Sequence, residues 1–285
     1  MIGVPARAER FVLQLGSPEY PEQLAATPDP PRVLFGVGDP AALQPGLAVV
    51  GARKATPYGL RCTRLFSGWA ASHGLTVISG AAIGCDREAH LAALDAGGAT
   101  VAVLGCGPDV DYPRRSSSVL ATIREGFAVV SECPFGQEPL RWAFVRRNRI
   151  IAGLAAAVLV VEAGLPSGTF STADAALDGG RDVLCVPGSI FSPESRGSNR
   201  LIRQGAMPVT DVSELADALG VHASPCPASG PVREPVMRAL TADPMRPDDI
   251  ARALGIDIVA MARTLGALEA QGLIARYPDG RYGVT

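Results

Sequence analysis

Residues 144–153 read FVRRNRIIAG, three arginines and an asparagine set between an aromatic residue and the start of an apolar run. A guanidinium presents a planar fork of donors that suits a phosphate, and an aromatic ring offers a face on which a base can stack. Phe144 is therefore a candidate stacking surface, with Arg146 and Arg147 as phosphate contacts beside it. A structural alternative pairs Arg147 and Arg149 with Glu132 or Glu162, stiffening the site. Asn148 reads as the cap of the helix that carries the chain inward.

Further stretches carry related chemistry. In GARKATPYG (51–59), Gly51 lets the backbone turn tightly, Arg53 and Lys54 supply positive charge, and Thr56 can cap a helix opened by Pro57. In SGAAIGCDREAH (79–90), Ser79, Gly80 and Gly84 form a small-residue loop open to close approach by a ligand, and Asp86 stands where an N-cap belongs. Asp86 and His90, at i and i+4, share a helical face; they read either as an acid/base pair or as a cap with a half-buried histidine. GCGPDVDYPRR (105–115) adds Tyr112, Arg114 and Arg115. In PSGTFSTADAAL (166–177), Ser167, Gly168 and Thr169 lead into a helix, where hydroxyl and N–H groups converge as an anion cradle.

These residues need elements to hold them. LAVVG (47–51), LTVIS (75–79), TVAVLG (100–105), FAVVSE (127–132), AVLVVEA (157–163) and DVLCVPG (182–188) are continuous apolar strands. Helical stretches separate them, such as Tyr58–His73, with Leu65, Phe66 and Trp69 on one face and Gly74 as its stop. That order implies an α/β fold: a doubly wound, mostly parallel sheet covered on both faces, over residues 46–220. Ligands of such sheets bind at the carboxyl ends of the strands, and the small, hydroxyl and basic residues above follow strands on that edge. The charged half of FVRRNRIIAG then falls in a long connection, 133–148, and Ile150 begins the run-in to the fifth strand.

Residues 1–45, with YPEQL and PDPPRVLFGVGDP, are too short and proline-rich for a core of their own and read as an N-terminal extension packed on the sheet. VHASPCPASGP (221–231) is a linker without periodicity. Residues 232–285 parse as helix, helix, turn, helix and a hairpin around PDG, the order of a winged helix, with Gly255 and Gly272 as helix stops. Its seven Arg are balanced by seven Asp and Glu, and its would-be recognition helix offers Asp257, Ala260, Arg263 and Thr264. DNA reading, protein contact and a dimer lid all remain open for it.

Composition excludes several classes. The formal charge is −2 over 285 residues, so any anion site must be built locally, and Lys54 is the only lysine. The longest apolar run, from Ile150 to Glu162, is interrupted by Gly153 and falls well short of the roughly 20 residues of a membrane span. The N-terminus lacks a signal-peptide pattern. Six scattered cysteines, without CxxC or histidines at ligand spacing, read as reduced thiols of a cytoplasmic protein and not as a metal site. With neither GxGxxG nor GxxxxGK[ST] after the first strand, a dinucleotide or NTPase cofactor has little support, and none is expected.

In order along the chain, VVGARKATPYG (49–59), ISGAAIGCDREAH (78–90), AVLGCGPDVDYP (102–113), SECPFG (131–136), FVRRNRIIAGLAAAVLVVEA (144–163), SGTFSTADAALDGGRDVLCVPG (167–188) and GSNRLIRQGA (197–206) resemble the DprA/Smf family of DNA-processing proteins. The match covers the whole central domain, and YPEQL, PPRVLFGVG and the tail also fit. The resemblance implies a Rossmann-like domain that dimerises, binds single-stranded DNA and loads the RecA recombinase onto it during natural transformation. It implies a non-enzymatic protein, with Arg53 and Arg114 at phosphates, and the residues read above add Gly51, Lys54, Arg146 and Arg147 to the phosphate-binding candidates. By the same resemblance the Ser79–Gly80 and Ser167–Gly168–Thr169 loops would cradle the backbone and Phe144 would stack on a base, while Asp86 and Asn148, read above as caps, are expected to support them. This chain departs from the family pattern at Cys85, where isoleucine is common, at Val145, where proline is usual, and at Ser116–Ser118, where an asparagine often stands.

A nucleotide-processing hydrolase is the alternative, cleaving nucleoside monophosphates with Asp86, His90 and Glu162. The loop after the fifth strand lacks the glycine doublet and trailing acids of such enzymes. A third reading gives the DNA to the tail and leaves the sheet as a scaffold.

Overall fold

Apolar runs without polar alternation can be buried only where both faces of a sheet are covered. A computed structural model describes residues 9–221, 233–277 and 279–284, and shows those runs in one nine-stranded sheet. The strands are β1 (Arg10–Gln14), β2 (Val33–Gly38), β3 (Gly46–Val50), β4 (Thr76–Ser79), β5 (Thr100–Leu104), β6 (Ala128–Ser131), β7 (Ala155–Val160), β8 (Asp182–Cys185) and β9 (Met207–Pro208). Their order is β1-β2-β6-β5-β4-β3-β7-β8-β9, parallel from β6 to β9.

The helices are α1 (Glu22–Ala25), α2 (Pro57–Ser72), α3 (Cys85–Asp95), α4 (Ser117–Gly126), α5 (Arg141–Leu154), α6 (Thr169–Asp178), α7 (Arg196–Arg203) and α8 (Val212–Ala218). Strand residues alternate between two cores. On one face Ala48, Val50 and Val158 pack with Ile150, Ile151 and Leu154 of α5 and Ala173 of α6. On the other, Leu47, Val49 and Leu159 pack with Phe66 of α2, Ala89 of α3 and Leu215 of α8. After β3 the chain steps outward through β4, β5 and β6, then returns to place β7 on the other side of β3. That reversal makes the sheet a doubly wound, Rossmann-like one and opens a crevice at the carboxyl ends of β3 and β7.

Two expectations are corrected. Residues 10–38 do more than pack on the sheet: β1 and β2 extend it antiparallel, with β2 paired to β6 through Phe35 opposite Ser131 and Val37 opposite Val129. Residues 133–148 are not one long connection, because helix α5 already begins at Arg141.

The chain divides by its contacts at Val221/His222. The second unit holds α9 (Arg233–Ala242), α10 (Pro247–Leu254), α11 (Ile258–Ala270) and the antiparallel pair β10 (Ile274–Arg276) and β11 (Tyr282–Val284), a winged helix. Val236, Leu240, Ile250, Met261, Leu265 and Leu268 form its core. Gly255 ends α10 at φ 63°, a left-handed cap that glycine adopts without a Cβ penalty. The linker expected at 221–231 lies, beyond Val221, outside the described residues, as does Pro278 of the expected PDG turn.

Candidate functional site

At the β3/β7 crevice lies a cavity of about 340 Å3. Gly51 and Arg53 line it from the loop after β3, Ser167, Gly168 and Thr169 from the start of α6, and Phe144, Arg147, Asn148 and Ile151 from α5. These four α5 residues fall at i, i+3, i+4 and i+7, one face of a helix, with Val145 lining the cavity beside them. That spacing is the signal missed when the segment was read as a loop.

The α6 side presents a helix N-terminus and two hydroxyl groups to the cavity. Ser167 Oγ accepts the Thr169 N–H at 3.2 Å and donates to Thr169 Oγ1 at 3.0 Å. The helix N-terminus carries no acidic residue in its first turn, so its dipole is left for a ligand. Asn148 is not the cap of α5, since it sits in the middle of that helix. Its Nδ2 donates to Ser171 Oγ at 2.7 Å and to the Gly168 carbonyl at 3.4 Å, and its Oδ1 accepts from Arg147 Nε at 3.2 Å. It thus ties α5 to the start of α6.

The arginines of the motif separate. Arg147 is 7% exposed and donates Nη1 to the carbonyls of Gly80 and Val103. Burial lowers its pKa, an effect that the nearby Asp86 carboxylate offsets only in part, and its bonds to the two carbonyls lock the guanidinium in the cavity wall. Arg146, expected at a phosphate, does not line the cavity; its Nε pairs with Glu132 at 3.1 Å, over a separate hollow shared with Trp142. Arg149 pairs with Glu132 at 2.7 Å and Asp29 at 2.8 Å, so the structural alternative holds for Arg149, with Asp29 as the partner not foreseen. Phe144 is half-buried at the rim, with its ring centroid 5.3 Å from that of Tyr112. Such a tilted pair keeps an aromatic surface at the mouth.

Ser79 and Gly80 do not contact the cavity. Ser79 is fully buried and donates to the Val49 carbonyl at 2.6 Å. A Cβ on Gly80 would lie 2.4 Å from Arg147 Nη1, so the glycine makes room for the protein's own guanidinium. Gly51 serves a close approach as well: its Cβ would meet Cys85 Sγ at 2.6 Å. Asp86 is not the N-cap of α3, which is Gly84. Its Oδ2 accepts the Gly80 N–H at 3.2 Å. Burial pushes its carboxyl up while Arg147 and the Gly80 N–H draw it back. Lys54 and Arg114 are exposed and line neither this cavity nor the adjoining cleft, to which Arg115 turns instead.

The groups of the hydrolase reading are each committed to a structural bond. His90 is fully buried, and burial lowers its pKa to about 3. Its Nδ1 lies 2.7 Å from Thr100 Oγ1, whose proton goes to the Val77 carbonyl at 2.8 Å, so Nδ1 carries the hydrogen. Glu162 accepts from Thr56 N at 2.8 Å and from Thr56 Oγ1 at 2.7 Å, while Thr56 caps α2 at the Gly59 N–H. Burial raises the thiol of Cys85 to about 12 and that of Cys106 to about 11, well away from a reactive thiolate. Among the described residues no group of His, Cys, Asp and Glu could hold a metal ion, and no helix is long and apolar enough to cross a membrane.

In the second unit Asp257, expected on a recognition surface, is the N-cap of α11, accepting from Val259 N at 3.0 Å and Ala260 N at 3.1 Å. Thr264 Oγ1 donates to the Ala260 carbonyl at 3.0 Å.

Residues 11–220 match the family model described as DNA recombination-mediator protein A, and residues 221–280 match the DprA winged helix domain. The chain is 42% identical over 276 residues to Protein Smf of Escherichia coli strain K12, spanning 92% of this chain and 74% of that one. With DNA processing protein DprA of Streptococcus pneumoniae it shares 41% identity over 198 residues, 69% of this chain and 70% of the relative. The X-ray structure of the S. pneumoniae protein superposes with a TM-score of 0.69 at 38% identity, covering 72% of this chain and 73% of that chain. DNA processing protein A from Helicobacter pylori, whose structure was determined for its single-stranded DNA binding mode, gives a TM-score of 0.68 at 27% identity, covering 75% and 98% of the two chains.

Proposed function

The chain belongs to the DNA recombination-mediator protein A family, and on that premise we propose that it binds single-stranded DNA in the β3/β7 crevice and loads RecA onto it, as a homodimer and without catalysis. The observation that carries the reading is the cavity itself. It combines the α6 cradle, the unpaired Arg53 and the half-buried Phe144 at one mouth, the donors and the aromatic face that a nucleic-acid strand needs. No paired acid and base faces a nucleophile there, because Asp86, His90 and Glu162 are each held by other groups. Incubation with a panel of nucleoside monophosphates is expected to release no base, and turnover would return the hydrolase reading.

The direct test is a titration of labelled single-stranded and duplex DNA at two salt concentrations with the wild type, Arg53→Ala and Phe144→Ala. Arg53→Ala is expected to weaken single-strand binding by about tenfold or more, since a charge-assisted bond contributes roughly 1.5–3 kcal/mol, and to reduce the log–log salt slope by about 0.7. Phe144→Ala should cost roughly 1–3 kcal/mol of binding with the slope unchanged. Equal affinity for duplex, or a salt slope near zero in the wild type, would reject the reading. Loading is checked separately, by stimulation of RecA-driven strand exchange on single strands coated with a single-strand-binding protein.

A further inference from the structure

Beside the crevice lies a second, open cleft of about 440 Å3, lined by Arg53, Ile83, Gly84, Arg87 and Arg115. Three arginines line one hollow, and none of them has a carboxylate within ion-pair distance among the described residues. The acids of the neighbouring helix turn form no ion pair with these arginines: Asp86 accepts the Gly80 N–H and acts on Arg53 only through its charge, and Glu88 pairs with Arg64. The Nε of Arg87 is buried without a hydrogen-bond partner. Like charges gathered around a cavity repel one another, and a buried N–H with no acceptor costs free energy. Both costs are relieved by an anion in the cleft.

The arginines are held in place. The Cys85 N–H donates to the Ala52 carbonyl at 3.2 Å, and a Cβ on Gly84 would lie 2.2 Å from that same oxygen, so the β3 loop and the start of α3 are pressed backbone to backbone. Ser116 Oγ, fully buried, donates to the Ala81 carbonyl at 2.8 Å and fixes the turn that carries Arg115. Ala81 is held at φ 54°, a conformation that residues with a Cβ seldom adopt. Three chain segments are thus tied so that their guanidinium groups surround one space.

Arg53 lines both this cleft and the crevice cavity. We infer that the cleft is a second phosphate site for the strand held in the crevice: the strand crosses Arg53 and places a further backbone phosphate between Arg87 and Arg115. A guanidinium fork suits the paired oxygens of a phosphodiester, and a ligand with repeating charge can occupy both hollows at once. The inference rests on the single-strand reading above and adds the direction in which the strand leaves the pocket.

The test uses the full chain and oligothymidylates of two lengths, about 4 nucleotides to fill the crevice alone and about 16 to reach both hollows. Wild type, Arg87→Ala, Arg87→Lys and Arg115→Ala are titrated at several salt concentrations. For the long strand, Arg87→Ala and Arg115→Ala should each lower affinity about tenfold and reduce the salt slope by about 0.7, while Arg87→Lys keeps the slope. For the short strand neither alanine variant should differ from wild type. Wild-type affinity and slope in both alanine variants on the long strand would overturn the inference, as would an equal loss on short and long strands, which would mean action through the crevice. If the wild type binds neither length, the single-strand reading itself fails, a result distinct from either.

Discussion

Arg146, Arg147 and Arg149 ride on one helix and are all answered within the protein, by Glu132, Asp29, Asp86 and two backbone carbonyls. Arg53, Arg87 and Arg115 come from three separate segments and line one cleft, and among the described residues none of them has an ion-pair partner, although Arg53 feels the charge of Asp86. On the proposed reading, the denser cluster in sequence is the poorer anion site. A charge already desolvated and paired has little left to offer a ligand, whereas a guanidinium without a partner at a cleft exchanges water for phosphate at small cost. What separates the two sets is the neighbouring carboxylates and carbonyls, which come from distant parts of the chain.

The largest effect that could break this contrast comes from Arg147→Ala. Removing the guanidinium leaves the buried carbonyls of Gly80 and Val103 without their donor and takes from Asp86 the strongest of its favourable charges, a loss of about 3 kcal/mol, read as a fall in Tm of roughly 10 °C. Asp86→Asn in the same chain removes the stranded charge and should restore about 1–2 kcal/mol. An unchanged Tm with lost DNA binding would move Arg147 into the other set, as a free phosphate contact.

The same contrast explains what could be read without coordinates. The parallel sheet was legible, since continuous apolar runs such as TVAVLG and AVLVVEA have no other stable use, and so was the edge on which the loops gather. Arg53, Ser167, Gly168 and Thr169 line the cavity at that edge. Helix α5 was hidden because its first half is charged and aromatic; only the 144, 147, 148, 151 spacing reveals it, and that spacing carries meaning once a helix is assumed. Ser79 and Gly80 misled for a physical reason, as a loop of small residues looks the same whether it admits a ligand or, here, a guanidinium from elsewhere in the chain. The antiparallel β1 and β2 escaped notice because β2 pairs with a strand some ninety residues away.

Helix α3 sharpens the comparison within one element, because Arg87 and His90 are three residues apart on it, one lining the cleft and the other fully buried. His90 titrates at about 3 in the fold, through burial and the nearby Arg147, against about 6.5 when unfolded. Between those values the unfolded chain binds the extra proton, so this contribution to stability is complete above pH 6.5 and is lost as pH falls toward 3. One proton is worth about 1.4 kcal/mol per pH unit, giving a loss of about 3 kcal/mol between pH 6.5 and 4. The raised Asp86 carboxyl works in the opposite direction, so the test is a difference. Chemical denaturation of wild type and His90→Gln across that range should show a shallower fall in the variant. Parallel curves would mean that His90 is protonated in the fold.

The smallest expected effect decides most about the motif. Arg146 is the arginine that sequence alone sends to a phosphate, yet its side chain is 53% exposed and leans on Glu132, itself 26% exposed. Pairs of that kind contribute at most about 1 kcal/mol. Glu132 also holds Arg149, whose side chain is only 16% exposed, so Arg146→Ala strands no charge. Tm should therefore fall by no more than a few degrees, with single-strand affinity within about twofold of wild type and the salt slope unchanged. A slope lowered by about 0.7, matching Arg53→Ala, would show that the strand draws Arg146 off Glu132. Arg149 would then keep Glu132 in place, and the boundary between answered and unanswered arginines would run through the helix instead of around it.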